Sequence, residues 1–303
     1  MMADYAVFAS QSVFTDPGGW ASALDAVPSD IPAMARAARR LVFHYRADGD
    51  YAANGIAPER IAEIDTRYAA AMLGRLAALS DLPLTAERAP AQRLVGCCRD
   101  FTLLFLAIAR HHGVPARARV GFASYFVPGW YLDHAVPEVW DGGEGRWRLV
   151  EAQIREGFVD RADNTPLDTF DLPRDRMVVG AQAWLDARSG RIPAERFAVD
   201  PGIEIPNTRG WPYLAHNLLL DLAALNKREM ILWDSWGVAE DPEMLAPERL
   251  DDLDRLAAAL LDPATSAAEL AALYDRPGYR TPDAVTSYSP AAAIPLQVAI
   301  PIG

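Results

Sequence analysis

The stretch from Cys98 to His112 constrains the fold more than any other part of the sequence. Its residues are almost continuously apolar, with Phe101, Leu104 and Ile108 at helical spacing. Gly113 follows in the position that glycine commonly takes just after a helix. A segment of this length and pattern predicts a helix that lies in the core of the protein.

The residues after this helix change to the alternating pattern of strands. We predict three of them, at about 118–126, 131–140 and 146–154, and the glycine-rich stretch Asp141 to Gly145 joins the last two as a hairpin. Further helices are predicted at 32–45, 58–79, 181–188, 213–228, 247–261 and 266–274. A strand layer bracketed by helices predicts an α+β fold.

The 303 residues suit one large domain or two small ones. We predict a domain over 1–240 and, over 241–303, a helical extension followed by an extended tail that packs on the core. The tail, 277–303, contains five prolines and has no charged side chain after Asp283.

Charge and composition exclude several classes of protein. The chain has 29 basic and 41 acidic side chains, a net charge of −12, which would repel a nucleic acid. No apolar run approaches the roughly 20 residues that cross a bilayer, and no export signal is visible at the amino terminus. The two cysteines, Cys97 and Cys98, are adjacent, which is unsuited to a disulfide framework and fits a reducing compartment. We therefore expect a cytoplasmic protein that binds neither nucleic acid nor membrane.

Cys98 is the candidate nucleophile, because a thiol at a helix N-terminus has a lowered pKa and free backbone N–H groups nearby to hold an oxyanion. Among the five histidines, His134 is the best candidate base: it begins a strand 36 residues later, where the chain can return across the helix terminus. His111 and His112 lie at the far end of the helix, about 20 Å away. Glu151, in the next strand, could pair with His134 and fix its tautomer.

Four segments together resemble the transglutaminase-like superfamily: GCCRDF at 96–101, RHHGVPAR at 110–117, DH at 133–134 and WRLVEAQ at 147–153. Residues 217–227 and 233–237 are similar to the carboxy-terminal half of one bacterial branch of this superfamily. The resemblance implies a papain-like α+β fold, with the cysteine at the N-terminus of a central helix packed on an antiparallel sheet. The catalytic cysteine is Cys98 because Arg-Asp-aromatic follows it, and Cys97 takes a variable position.

The resemblance also implies a reaction. Cys98 would attack the amide or thioester of a small-molecule or peptide donor, His134 would move the proton, and Glu151 would orient His134. An amine or water would then resolve the thioacyl-enzyme, and no cofactor or metal is implied. Two departures from the family pattern are visible: Ala135 replaces an aromatic residue and Glu151 replaces aspartate. We expect Pro137 to interrupt its strand, and the longer Glu151 to be accommodated by a shift of about 1 Å without loss of activity.

Other interpretations remain. The protein could be a cysteine peptidase or amidase, or a catalytically silent binding module of the same fold. A metal site built from Asp133, His134, Glu138 and Glu151 is disfavoured, since no chelating motif such as HExxH is present. Cys97 is interpreted as a buried bystander, with redox protection or an auxiliary thiol as the alternatives. Tyr125 is interpreted as part of the core, of a surface loop or of an acyl pocket.

Overall fold

The computed structural model describes residues 5–300, which form a mixture of helices and short strands. The α-helices are α1 Ala21–Leu24, α2 Ile31–Leu41, α3 Ala69–Leu79, α4 Cys98–His111, α5 Gly180–Arg188, α6 Gly210–Leu225, α7 Pro247–Leu261 and α8 Ala267–Tyr274. The strands are β1 Val42–His44, β2 Leu94–Gly96, β3 Ala116–Ala123, β4 Tyr131–Asp141, β5 Arg146–Leu149, β6 Met177–Val179, β7 Phe197–Ala198, β8 Asp234–Ser235, β9 Ala284–Ser287 and β10 Leu296–Ala299. None of the helices within residues 5–300 is long and apolar enough to cross a membrane.

The main sheet is antiparallel, in the order β5-β4-β3-β6, and β7 pairs in parallel with one end of β4. β3 and β4 pair over eight residues, a register that sets Gly121 opposite His134. The predicted hairpin loop at 141–145 joins β4 to β5. Contrary to expectation, Pro137 does not interrupt β4: it lies opposite Ala118, and its carbonyl accepts the N–H of Val150 at 2.9 Å.

Helix α4 is the centre of the fold, as its apolar pattern predicts. The first 13 of its 14 residues are buried, and it packs against β3 and β4 on one side and α2 on another. The Thr102 hydroxyl donates to the carbonyl of Ala135 at 2.8 Å and so fixes the helix to β4. The α+β class, with a central helix on an antiparallel sheet and added helices, is confirmed.

Two of the predicted helices are shorter than expected. The first ends at Leu41, because residues 42–44 form β1 and pair with β2 instead. The second divides into a 3₁₀ helix, Pro58–Asp65, and α3. At the break, Thr66 and Tyr68 have extended backbones, and the N–H of Ala69 bonds to the carbonyl of Phe14 at 2.8 Å instead of to the preceding turn of a helix.

The third predicted strand is also shorter, since β5 ends at Leu149 and not at residue 154. Beyond it, the N–H of Glu151 bonds to the carbonyl of Thr169 at 2.7 Å, which draws the chain away from β4. Glu151 therefore lies in the segment after the strand, not within it.

The part of the chain from residue 241 onward packs on the rest through its helices. Leu253 and Leu256 of α7 belong to the same apolar core as Phe101 of α4, and the indole of Trp184 donates to Asp254 at 2.7 Å. The tail forms β9 and β10, which extend a small antiparallel sheet from β8. Its last three residues, 301–303, lie outside the described part, and the domain boundary at 240 stays a prediction.

A buried ion pair joins the sheet to α6. The Asp221 carboxylate accepts two hydrogen bonds from the Arg119 guanidinium, at 2.8 and 2.9 Å, and a third from the N–H of Val120 at 3.1 Å. Asp221 is fully buried and Arg119 almost so. These contacts assign Asp221 a structural role.

Replacing Asp221 by alanine leaves the buried Arg119 without its main partner, and removing one member of a buried pair typically costs about 3–5 kcal/mol. We expect the Asp221→Ala variant to lose about that much free energy of unfolding in urea denaturation. The matched control is Asp251→Ala, a helical aspartate exposed on α7, which should change the free energy of unfolding by less than about 0.5 kcal/mol. Equal stability of the two variants would contradict the structural role of the pair.

Candidate active site

The N-terminus of α4 is shaped by close packing at Gly96. A Cβ atom on Gly96 would lie 2.6 Å from Oδ2 of Asp100 and 2.9 Å from Val42, distances that real side chains do not reach. The same Asp100 oxygen accepts the N–H of Cys97 at 2.8 Å and so caps the helix. Gly96 is therefore required to make room for the cap.

Arg99 and Asp100, the two polar residues after Cys98, fix this helix end inside the protein. The Arg99 guanidinium donates to the carbonyl of Glu229 at 2.5 and 2.9 Å and to that of Arg67 at 2.6 Å. Burial raises the pKa of Asp100 to about 6, although the Arg99 charge opposes this. Both side chains hold the helix in position, and neither lines the cavity described below.

His134 and Glu151 form a buried pair next to this helix end. Nε2 of His134 lies 2.8 Å from Oε2 of Glu151, and each residue is only 2% exposed. The Tyr125 hydroxyl donates to the same carboxylate oxygen, and the N–H of Gln153 donates to Oε1 at 2.7 Å. Three donors thus hold Glu151 in one orientation, and the side chain reaches His134 despite its extra methylene.

Cys98 completes a row with these two residues, since it lies close enough to the His134 ring for each group to shift the pKa of the other. Nε2 of His134 is engaged by Glu151, so Nδ1 is the ring nitrogen available to Cys98. The structure therefore brings together Cys98, His134 and Glu151, the three residues selected from the sequence.

The electrostatics of the row favour a thiolate facing an imidazolium. The pKa of Cys98 is well below its usual value because Cys97 and His134 donate hydrogen bonds to its sulfur and the charge of His134 attracts the thiolate, which together outweigh burial. Burial lowers the pKa of His134, but the attraction of the Glu151 carboxylate and the bond to Cys98 outweigh it and raise that pKa to about 10. The attraction of His134 likewise lowers the pKa of Glu151 in spite of burial.

Cys97 contributes more than the sequence suggested. The contact with Cys98, together with burial, raises the pKa of Cys97 well above its usual value. Cys97 therefore keeps its proton, and its S–H group is a hydrogen-bond donor for the Cys98 thiolate. The interpretation of Cys97 as a mere bystander overlooked this contact, which no sequence signal marks.

The row opens onto a cavity of about 1670 Å³. Cys97, Cys98 and His134 line its floor. Residues 199–208, 239–245 and 288–295 contribute to its walls, so the carboxy-terminal tail borders the site. Phe126 lines the cavity and packs edge-on against the His134 ring at 5.2 Å between centroids.

Three residues near the row were not identified as functional from the sequence. Tyr125 is fully buried and contacts Glu151, so its hydroxyl is a hydrogen-bond donor and not an acyl-pocket surface. Thr102 joins α4 to β4, as described above. Asp133 accepts the hydroxyl of Tyr213 at 2.7 Å, and burial, with the nearby Cys98 charge, raises its pKa to about 7. Their roles depend on pairing between distant segments, which spacing along the chain does not reveal.

The acidic residues near His134 do not converge on one point. Glu138 is buried among arginines, 2.7 Å from Arg117 and 2.6 Å from Arg174, and these charges hold its pKa far below the usual range despite burial. Within residues 5–300, no group of three or more histidine, cysteine, aspartate or glutamate side chains is arranged to hold a metal ion.

Comparison with known proteins agrees with the sequence resemblance. No curated protein matches the chain significantly. A solved structure from Cytophaga hutchinsonii, whose name as a cysteine protease is provisional, shares 16% identity with a TM-score of 0.34, over 59% of this chain and 46% of that one. This chain thus spans less than half of that protein. Residues 80–152, which contain Cys98, His134 and Glu151, match the model of the transglutaminase-like superfamily. This match agrees with the resemblance in the sequence: residues 80–152, which lie within the α+β fold, are similar to the transglutaminase-like superfamily.

Proposed function

We propose that this protein is a cysteine acyl-transfer enzyme that forms a thioacyl intermediate on Cys98 from an amide or thioester donor. The observation that carries the proposal is the buried row of Cys98, His134 and Glu151 at a helix N-terminus, in which His134 is hydrogen bonded to Glu151 and Cys98 and His134 line a large cavity. A nucleophile, a base and a residue that orients the base are the parts that covalent acyl transfer requires.

In the first half-reaction, the Cys98 sulfur attacks the donor carbonyl carbon and the carbonyl oxygen becomes an oxyanion. A backbone N–H at the start of α4, where a helix leaves such groups without intrahelical partners, would stabilise this charge. As the tetrahedral intermediate collapses, the bond to the leaving nitrogen or sulfur breaks and His134 gives that atom a proton. The products are a thioester on Cys98 and a free amine or thiol.

In the second half-reaction, an acceptor amine or water attacks the thioester. His134 takes the proton that the acceptor loses, and the Cys98 thiolate leaves, which restores the starting charges. An amine gives a new amide and water gives the free acid. The cavity exceeds the roughly 300–1,000 Å³ of ordinary small-molecule pockets, which supports room for a donor and an amine acceptor at once.

Glu151 acts on this reaction through His134. Its carboxylate holds the ring in the orientation that leaves Nδ1 for Cys98, and its charge stabilises the imidazolium. Tyr125 and the Gln153 N–H keep Glu151 in place, so the carboxylate needs no rearrangement during the reaction.

The first prediction concerns the nucleophile. Because the Cys98 pKa is lowered, iodoacetamide should label Cys98 rapidly even at pH 6, with one adduct visible by intact mass. Cys98→Ala should abolish this labelling. Cys97→Ala should keep the adduct. Because the hydrogen-bond donor beside Cys98 is lost, the pH at which the labelling rate is half-maximal should rise. The matched control is Cys97→Ser, which keeps a donor. If labelling persisted in Cys98→Ala and disappeared in Cys97→Ala, the nucleophile would be Cys97 and not Cys98.

The second prediction concerns the base. In a protein with ¹⁵N-labelled histidine, the His134 ring should titrate with a pKa near 10. Glu151→Gln removes the attracting charge, and loss of an opposite charge at this distance lowers a histidine pKa by about 1–3 units. The exposed Glu59→Gln serves as a control that leaves the titration unchanged. A His134 pKa near 6.5 in the wild-type protein would contradict the role of Glu151.

The third prediction tests acyl transfer itself. The activated ester p-nitrophenyl acetate should place one acetyl group on Cys98, detectable by intact mass, and Cys98→Ala should not form this adduct. Added primary amines should then remove the acetyl group as an amide faster than water removes it as acetate. Release only as acetate, at every amine concentration, would favour a hydrolase, and absence of the adduct would contradict the proposal.

A further inference from the structure

His44 lies beside the start of α4, although the sequence gives no reason to connect the two. It ends β1, which runs parallel to β2 in a register that sets His44 opposite Gly96, two residues before Cys98. The next residue continues the pairing, since the N–H of Tyr45 bonds to the carbonyl of Gly96 at 2.9 Å. His44 lines the same cavity as Cys98 and His134, and the charge of Cys98 acts on it.

The tautomer of His44 is fixed by the turn that follows it. Its Nδ1 accepts the N–H groups of Arg46 and Ala47, at 3.2 and 3.1 Å. A nitrogen that accepts two backbone N–H groups carries no hydrogen itself, so in the neutral ring the proton must lie on Nε2. The ring stacks on Phe101 and on Tyr45, which fixes its plane.

His44 is held in the neutral state. Burial lowers its pKa, and this outweighs the opposing charges of Cys98 and Asp48. Protonation would also place a hydrogen on Nδ1, against the two N–H groups that point at it. The ring is thus a poor general base, because its lone pair is already engaged and its affinity for a proton is reduced.

The Nε2–H of His44 is a donor without an assigned partner. In the part of the chain that the structure describes, no side chain or carbonyl accepts it, and the residue is half-buried at the cavity wall. A neutral N–H donor on the wall of the cavity that Cys98 and the start of α4 also line has the chemistry of an oxyanion-hole group.

We propose that His44 donates its Nε2–H to the oxyanion that forms when Cys98 attacks the donor carbonyl, together with the backbone N–H at the start of α4. This inference rests on the proposed acyl transfer. When the S–C bond forms, the carbonyl electron pair moves to oxygen. His44 donates a hydrogen bond to that oxygen and transfers no proton. When the leaving group departs, the pair returns and the ring is unchanged.

Two substitutions separate this role from a structural one. Asparagine at position 44 places an amide oxygen near the position of Nδ1, so it can still accept the two turn N–H groups but offers no donor at Nε2. Glutamine reaches further and places an amide N–H₂ near the position of Nε2. His44→Asn therefore keeps the acceptor that holds the turn, and His44→Gln keeps the donor that faces the proposed oxyanion.

The readout compares two reactions of Cys98. Acylation by p-nitrophenyl acetate forms an oxyanion, whereas alkylation by iodoacetamide does not. Removal of one oxyanion donor typically slows acylation by about 10²–10³-fold, so His44→Asn should lose that much acylation while its alkylation rate stays close to wild type. His44→Gln should be acylated faster than His44→Asn. His111→Asn, at the far end of α4, is the control and should change neither rate.

The outcomes distinguish this inference from the proposed function. Equal losses of acylation and alkylation in His44→Asn would show that His44 acts on the thiolate, and would overturn the inference. An acylation rate of His44→Asn equal to that of the wild type would also overturn the inference. A slower acylation of His44→Gln than of His44→Asn would do the same, because a purely structural role predicts that order. A wild-type protein that forms no acetyl adduct on Cys98 would overturn the proposed function, and the inference with it.

Discussion

The buried N-terminus of α4 is the constraint on which the site depends. A helix end leaves backbone N–H groups without partners, and burying such an end requires substitutes for water. Asp100 caps the N–H of Cys97, Arg99 joins the end to two loops, and Thr102 joins the first turn to β4. Because each of these contacts is made at the same helix end, Cys98 has little freedom to move relative to His134.

The free-energy cost of burying the charges of Cys98, His134 and Glu151 is offset by hydrogen-bond donors close to them. A thiolate, an imidazolium and a carboxylate in a row leave one net negative charge, which would be costly in an apolar interior. The helix terminus, the thiol of Cys97 and the hydroxyl of Tyr125 all present hydrogen-bond donors to the negative groups. The row thus has preorganised donors at both of its ends, and this favours the charged form of the pair before any substrate binds.

The sequence predicted the elements whose signals are local. Helix α4 was predicted from the spacing of its apolar residues, and the hairpin at 141–145 from its glycines. The order of the motifs predicted that Cys98, His134 and Glu151 act together. The early end of β5 could not be predicted, because it depends on a bond from Glu151 to Thr169, a residue 18 positions later. The role of Tyr125 was missed for the same reason: its partner lies on another segment. A residue whose function depends on one partner far away in the sequence produces no repeating pattern from which that function could be predicted.

The two histidines of the cavity illustrate how surroundings decide what one side chain does. His134 has a carboxylate on one nitrogen and a thiolate on the other, so both neighbours favour the cation. His44 has two backbone N–H groups on one nitrogen and the open cavity before the other, so its surroundings favour the neutral ring. A cation can release a proton to a leaving group, and a neutral ring with a fixed N–H can only donate a hydrogen bond. The different roles of the two histidines in the proposed mechanism therefore follow from burial, neighbouring charges and hydrogen-bond partners, since the two imidazoles are chemically the same.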